Sequence, residues 1–124
     1  MGACFVRAAL DAGHAVVASA RRPAEITAAI GAHPDLLAVR LDVTSIEECT
    51  SAIAAAVDRF GRIDVLVNSA GASFKGYFEE MSPVQVERQL ATNLIGPMNA
   101  TRAVLPVMRR QRSGHVIAIC PERA

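Results

Sequence analysis

The stretch that most constrains the fold is Ile63-Asp64-Val65-Leu66-Val67-Asn68-Ser69-Ala70-Gly71, a short apolar run ending in a polar, glycine-containing turn. A run of this length, rich in Val, Ile and Leu and bounded by Gly61 and Gly71, predicts a strand buried on both faces of a parallel sheet. In open α/β sheets ligands bind beyond the carboxyl ends of the strands, so Asn68 to Gly71 are expected at a ligand edge.

The preceding residues alternate between two periods. Gly2 to Ala12 predicts a helix with Phe5, Val6, Ala9 and Leu10 on one face, stopped by Gly13 at a position that favours positive φ. His14 to Ala20 predicts a strand, closed by Arg21, Arg22 and the strand-breaking Pro23. Ala24 to Gly31 reads as a short helix and Leu36 to Leu41 as a strand ending at Asp42. Ser45 and Glu48 have the spacing of a capping box, and Ile46, Cys49, Ile53, Val57 and Phe60 then recur every three or four residues until Gly61. Helix and strand in strict alternation imply right-handed crossovers and a parallel sheet with helices on both faces.

Beyond the central turn, residues 72–81 read as a loop, and Ser82-Pro83-Val84-Gln85 combines a cap, a proline at N1 and Gln at N3. The long helix that follows carries Val86, Leu90, Leu94, Met98, Thr101, Leu105 and Met108 on one stripe, with bends expected at Gly96-Pro97 and Pro106. Arg109, Arg110 and Arg112 suit its negative end, and Ser113-Gly114 turns into a last strand, His115 to Ile119.

Composition narrows the function classes. At 124 residues the chain suits one domain, and 52% hydrophobic residues with no Trp and 4% aromatics leave Ala, Val, Leu and Ile to fill its core. A net charge of +1 without a basic stripe argues against nucleic acid. Cys4, Cys49 and Cys120 are far apart and in no metal-ligand spacing, which suits a reducing compartment, and Cys49 falls on an apolar helix face as a small core residue. His14, His33 and His115 fall at element ends as surface residues, so no metal is expected. With no apolar leader and no stretch of eighteen apolar residues, a soluble, unexported, cytoplasmic chain away from membranes is expected.

Three spaced motifs carry a family resemblance. Asn68-Ser69-Ala70-Gly71 resembles the Asn-Asn-Ala-Gly turn of the short-chain dehydrogenases/reductases, with Leu41-Asp42-Val43-Thr44 and Asn93-Leu94-Ile95-Gly96 at fitting distances on either side. The resemblance runs from about Gly2 to Ile119 and implies one partial NAD(P)-binding domain over residues 1–124, an incomplete Rossmann-like doubly wound parallel sheet. The family's first strand and most of its Thr-Gly-x-x-x-Gly-x-Gly phosphate loop have no counterpart; only Gly2 matches, as the last glycine. The expectation is therefore a chain truncated at both ends.

That resemblance gives roles to further residues. Arg21 and Arg22 follow the second strand of the family sheet, beside the adenosine ribose, where guanidinium suits a 2′-phosphate and carboxylate suits NAD; this points to NADP, with solvated loop arginines as the alternative on the residues alone. Asp42 is expected to accept from the adenine amino group with Val43 packed on the ring, the alternative being a helix cap. Asn68, Ala70 and Gly71 would lie against the cofactor ribose. Asn93 would help to hold a water of the catalytic proton relay, the alternative being a buried Asn bonded to local backbone.

The family's catalytic Tyr, Lys and substrate-orienting Ser find no place. Tyr77 is followed four residues on by Met81 where the family has Lys, and Cys120-Pro121 stands where its strand runs into Ser-Ser. The resemblance thus implies an NADP-dependent oxidoreductase of a small carbonyl or alcohol, represented here by a catalytically incomplete chain. Two alternatives stand beside it: a non-catalytic remnant that dimerises through its long helix, and a flavodoxin-like binding module. In the family order the missing strand lies between His14 to Ala20 and Ile63 to Asn68. Strands sit about 4.8 Å apart, so an empty slot would hold these two roughly 9.6 Å apart. The expected outcome is direct pairing of the two, a strand borrowed from another molecule, or poor folding with edge aggregation.

Overall fold

The computed structural model describes residues 2–69 and 76–119. Helix α1, Gly2–Asp11, ends in a complete Schellman motif: Gly13 adopts φ 87°, its N–H donates to the Leu10 carbonyl, and the His14 N–H donates to Ala9 at 3.0 Å. The turn folds the chain back, and β1, Val16–Ala20, packs along α1. Pro23 presets the first turn of α2, Pro23–Ile30, and β2 spans Leu36–Arg40. The Arg7 guanidinium donates to the Ala29 carbonyl and so ties α1 to the last turn of α2.

Helix α3, Ile46–Phe60, starts at the Ser45 hydroxyl, which accepts from the Glu48 N–H, and stops at Gly61 with φ 80°. Strand β3, Val65–Asn68, follows. A 3-10 turn at Phe78–Glu80 leads to a complete Ser82/Gln85 capping box at the head of α4, Pro83–Leu90. The helix runs on through a π-helical turn, Ala91–Ile95, into α5, Gly96–Gln111, and the last strand, β4, spans His115–Ala118.

Among the described residues all pairing is parallel, as the alternation requires, but it forms two two-stranded sheets. In one, β1 pairs with β2 from Val16 opposite Leu36 to Ala20 opposite Arg40; in the other, β3 pairs with β4 from Val65 opposite His115 to Asn68 opposite Ala118. Of the outcomes expected for an absent intervening strand, direct pairing of β1 with β3 is not formed. The architecture is that of an incomplete α/β sheet.

The core lies where α3 meets α5. Cys49, Ala52 and Ala56 face Ala100, Val104, Val107 and Met108, with Val104 fully buried, so small side chains on one helix admit larger ones from the other. At the far end of α5 the Gln111 amide pairs with the Ile63 backbone in both directions, accepting from its N–H at 2.9 Å and donating to its carbonyl at 2.6 Å. This fixes the entry to β3.

Four expectations need correction. Strand β3 is not buried on both faces: Val65 is 49% and Val67 42% exposed, because α5 covers only the side that bears Leu66 and Asn68. On α3 the buried line is Cys49, Ala52 and Ala56, and Ile46 lies exposed. On the long helix Leu90, Leu94 and Met98 face outward. The Gly96 N–H bonds to the Ala91 carbonyl five residues back, and this extra residue rotates everything downstream by roughly 100°, so a stripe drawn at 3.6 residues per turn loses its face there. Finally, the Ser45/Glu48 box is only half formed. The Ser45 N–H already donates to the Asp42 carbonyl at 3.0 Å, which sends the Glu48 carboxylate elsewhere.

Candidate functional site

The carboxyl ends of the strands place the expected binding residues. Arg21 and Arg22 leave β1 exposed, and the Leu41 N–H donates to the Ala20 carbonyl at 2.9 Å, so the pairing carries Asp42 up beside them. Asp42 is held from several sides. Its Oδ1 accepts the Thr44 N–H at 3.0 Å and the Thr44 hydroxyl at 2.7 Å, while its own N–H donates to Glu48 Oε2 at 2.6 Å. Glu48 Oε1 in turn accepts from Arg40 Nε at 3.1 Å. The helix cap is therefore Ser45, and Asp42 forms an Asx turn that fixes its carboxylate at the strand end. The two Thr44 bonds hold its carboxyl below the usual carboxylate range, and the Arg21 and Arg40 guanidinium groups add to the effect.

Helix α5 joins this edge to the second sheet. Asn99, buried on its inner face, donates from Nδ2 to the Val43 carbonyl at 3.0 Å. Two residues on, Thr101 Oγ1 receives the Asn68 Nδ2 at 3.4 Å, at the end of β3. One helical stretch thus touches the end of β2 and the end of β3, which belong to different sheets. Gly2 opens α1, whose described contacts run to β1 and α2. A helix of that length, about 15 Å, folded back on β1 returns Gly2 toward the end that carries Arg21. Ala70 and Gly71 lie outside the described residues.

Asn93 lies within the π-helical turn and is exposed rather than buried. Pro97, four residues on, has no N–H to offer the Asn93 carbonyl, so the i to i+4 ladder cannot continue there and the wider turn takes its place. Asn93 and Asn99 are both asparagines inside a helix, where Asn has poor propensity. That signal marked Asn93 and would also have found Asn99. Thr44 and Glu48 were legible only as parts of a helix start, and their hold on Asp42 became visible in the fold.

Among the described residues no group of three or more His, Cys, Asp or Glu could hold a metal, and no helix is long and apolar enough to cross a membrane. Cys4 and Cys49 are free thiols, the first exposed and the second buried, and burial pushes the Cys49 thiol up.

The pattern of the short chain dehydrogenase family matches residues 1–123. The chain is 33% identical over 121 residues to an oxidoreductase of Botryotinia fuckeliana, covering 96% of this chain and 44% of that protein. A 3-ketodihydrosphingosine reductase of Bacteroides thetaiotaomicron is 35% identical over 109 residues, covering 88% of this chain and 38% of the relative. In structure the chain is similar to a short-chain dehydrogenase from Streptomyces avermitilis, with a TM-score of 0.84 and 38% identity, covering 92% of this chain and 43% of that one. The chain spans less than half the length of each of these relatives. The match over nearly its whole length, together with the parallel strands that carry Asp42 and Asn68 at their carboxyl ends, means that it belongs to the short-chain dehydrogenase/reductase family.

Proposed function

We propose that the chain carries the adenosine-binding part of the cofactor site of a cytoplasmic, NADP-dependent oxidoreductase acting on a small carbonyl or alcohol. The observation that carries this reading is the placing of Arg21 and Asp42 at the ends of paired strands, with the Val43 carbonyl beside Asp42 and the Asn68 side chain both bonded to one stretch of α5. The side chains suit the ligand. Arg21 and Arg22 are exposed cations, and the pairing of Arg22 with Glu25 at 3.9 Å joins side chains 82% and 68% exposed, a contact that a phosphate displaces at little cost. The fixed Asp42 carboxylate offers an acceptor to an exocyclic amine, with Val43 beside it for the ring. When bound, the cofactor would donate a hydride in its reduced form or accept one in its oxidised form. Asn93, in the π-helical turn, would help to hold a water of the proton relay that leads to the family's catalytic Lys.

Titration calorimetry of the 124-residue chain with NADP and with NAD tests this. Measurable binding that favours NADP supports the reading; equal binding, or tighter binding of NAD, contradicts it. Turnover is a separate expectation. General acid/base catalysis contributes about 10²–10⁴-fold, and Tyr77 has Met81 where the family pattern has Lys, so the chain with NADPH and a ketone panel is expected to give no measurable rate.

A second reading is favoured by the outward-facing Leu90, Leu94 and Met98, each about half exposed. They make the long helix a surface for self-association whether or not the cofactor site is complete.

A further inference from the structure

We propose that Asn99, with Gly96 one turn before it, is a positioning residue that holds the Asp42–Val43 turn in its ligand-ready form. The inference rests on the reading of that turn as the adenosine end of the cofactor site. Asn99 is 7% exposed, and its amide reaches 56 residues back along the chain to the Val43 carbonyl at 3.0 Å. The same carbonyl lies 3.8 Å from Cys49 Sγ on α3, so helices on either side of the turn converge on one acceptor. Gly96 completes the seat. A Cβ built there would lie 2.5 Å from Val43 Cγ2 and 3.0 Å from Val43 Cβ, so the helix can approach the turn this closely only without a side chain.

Holding the Val43 carbonyl orients the peptide between Val43 and Thr44. The N–H of that peptide is one of the two Thr44 groups that bond the Asp42 carboxylate. The chain of contacts therefore runs from α5 through one peptide plane to the carboxylate that faces the ligand edge. Because α5 continues directly from the π-helical turn with Asn93, the same helix sets both ends of the proposed site in one frame.

The test uses the 124-residue chain and 2′,5′-ADP, a probe of the adenosine end alone, by titration calorimetry. Asn99→Leu keeps the approximate side-chain volume and removes the donor, while Asn99→Asp keeps the shape and turns the donor into an acceptor. Gly96→Ala crowds Val43 while leaving the Asn99 donor in place. Val104→Ala, a core change away from the turn, controls for lost stability. Each of the first three is expected to weaken the probe by about tenfold, the order of one ordinary hydrogen bond lost from the bound state. Amide exchange at Thr44 and Ser45 should also quicken in these three, with both readouts unchanged in Val104→Ala.

If the unsubstituted chain binds 2′,5′-ADP and the Asn99 variants that fold bind it equally well, this inference alone is overturned. The same holds if Val104→Ala loses as much affinity. Should the Asn99 variants fail to fold, Gly96→Ala decides by the same two readouts. No binding by the unsubstituted chain overturns the cofactor reading and this inference with it.

Discussion

The two parallel sheets of this chain are built alike and buried differently. Strands β1 and β2 lie among α1, α2 and α3, with Ala18 buried and the other strand residues mostly half-buried. In the second sheet Val65, Val67, Val116 and Ile117 are each between 42% and 49% exposed, because α5 supplies cover on one side only among the described residues. An apolar strand sequence therefore encodes a surface suited to two layers, and the realised burial depends on which helices the surrounding chain supplies.

The largest expected effect concerns association. Strands β1 and β3 each carry a partner on a single edge among the described residues, and unpaired parallel edges recruit other strands. Light scattering over a concentration series should show mass growing beyond that of the 13.1 kDa monomer. A monodisperse monomer with a sharp cooperative melt would break the comparison at its root.

Hydrogen exchange sharpens it residue by residue. Amides of β3 and β4 should exchange about a hundredfold faster than those of β1 and β2, since locally open segments are those with few buried contacts. Equal protection would mean that the exposed face is covered in solution. A smaller contrast follows from side-chain truncation. Val104→Ala, in the α3–α5 core, should cost about 2 kcal/mol in urea unfolding, against less than about 1 kcal/mol for the half-exposed Val67→Ala.

Much of this was legible in the residues. Gly13, Gly61 and the Ser82/Gln85 pair mark element ends through φ preference and capping, which are local properties, so those boundaries held. Helix faces were less legible. The π-helical turn inserts a residue between Leu90 and Gly96, and no 3.6-residue count across it can identify the buried side. Placement was readable where a residue follows directly on its own strand, as Arg21, Asp42 and Asn68 do. It was opaque where a partner comes from far away, as Asn99 does, because the sequence carries no direct record of which helix packs on which turn.

A pH experiment isolates the Asp42 turn from the rest of the first sheet. Its folded pKa is lowered beneath the ordinary 3.8, chiefly by Thr44, so the carboxylate contributes stability above that value and loses it as pH falls through the lowered one. Asp42→Asn should flatten the acid limb of the stability curve below about pH 4 and leave it unchanged near neutrality in slope. An identical acid limb in the variant would place the loss elsewhere.

The most direct test of the account compares cofactor preference before and after removing the two cations that follow β1. The ratio of Kd for NAD to Kd for NADP is measured by calorimetry on the unsubstituted chain and on Arg21→Ala/Arg22→Ala. A charge-assisted bond to a 2′-phosphate favours NADP by about tenfold or more, so the ratio should be at least about 10 in the first and fall toward about 1 in the second. A ratio near 1 in the unsubstituted chain, or one that the double substitution leaves unchanged, would contradict it.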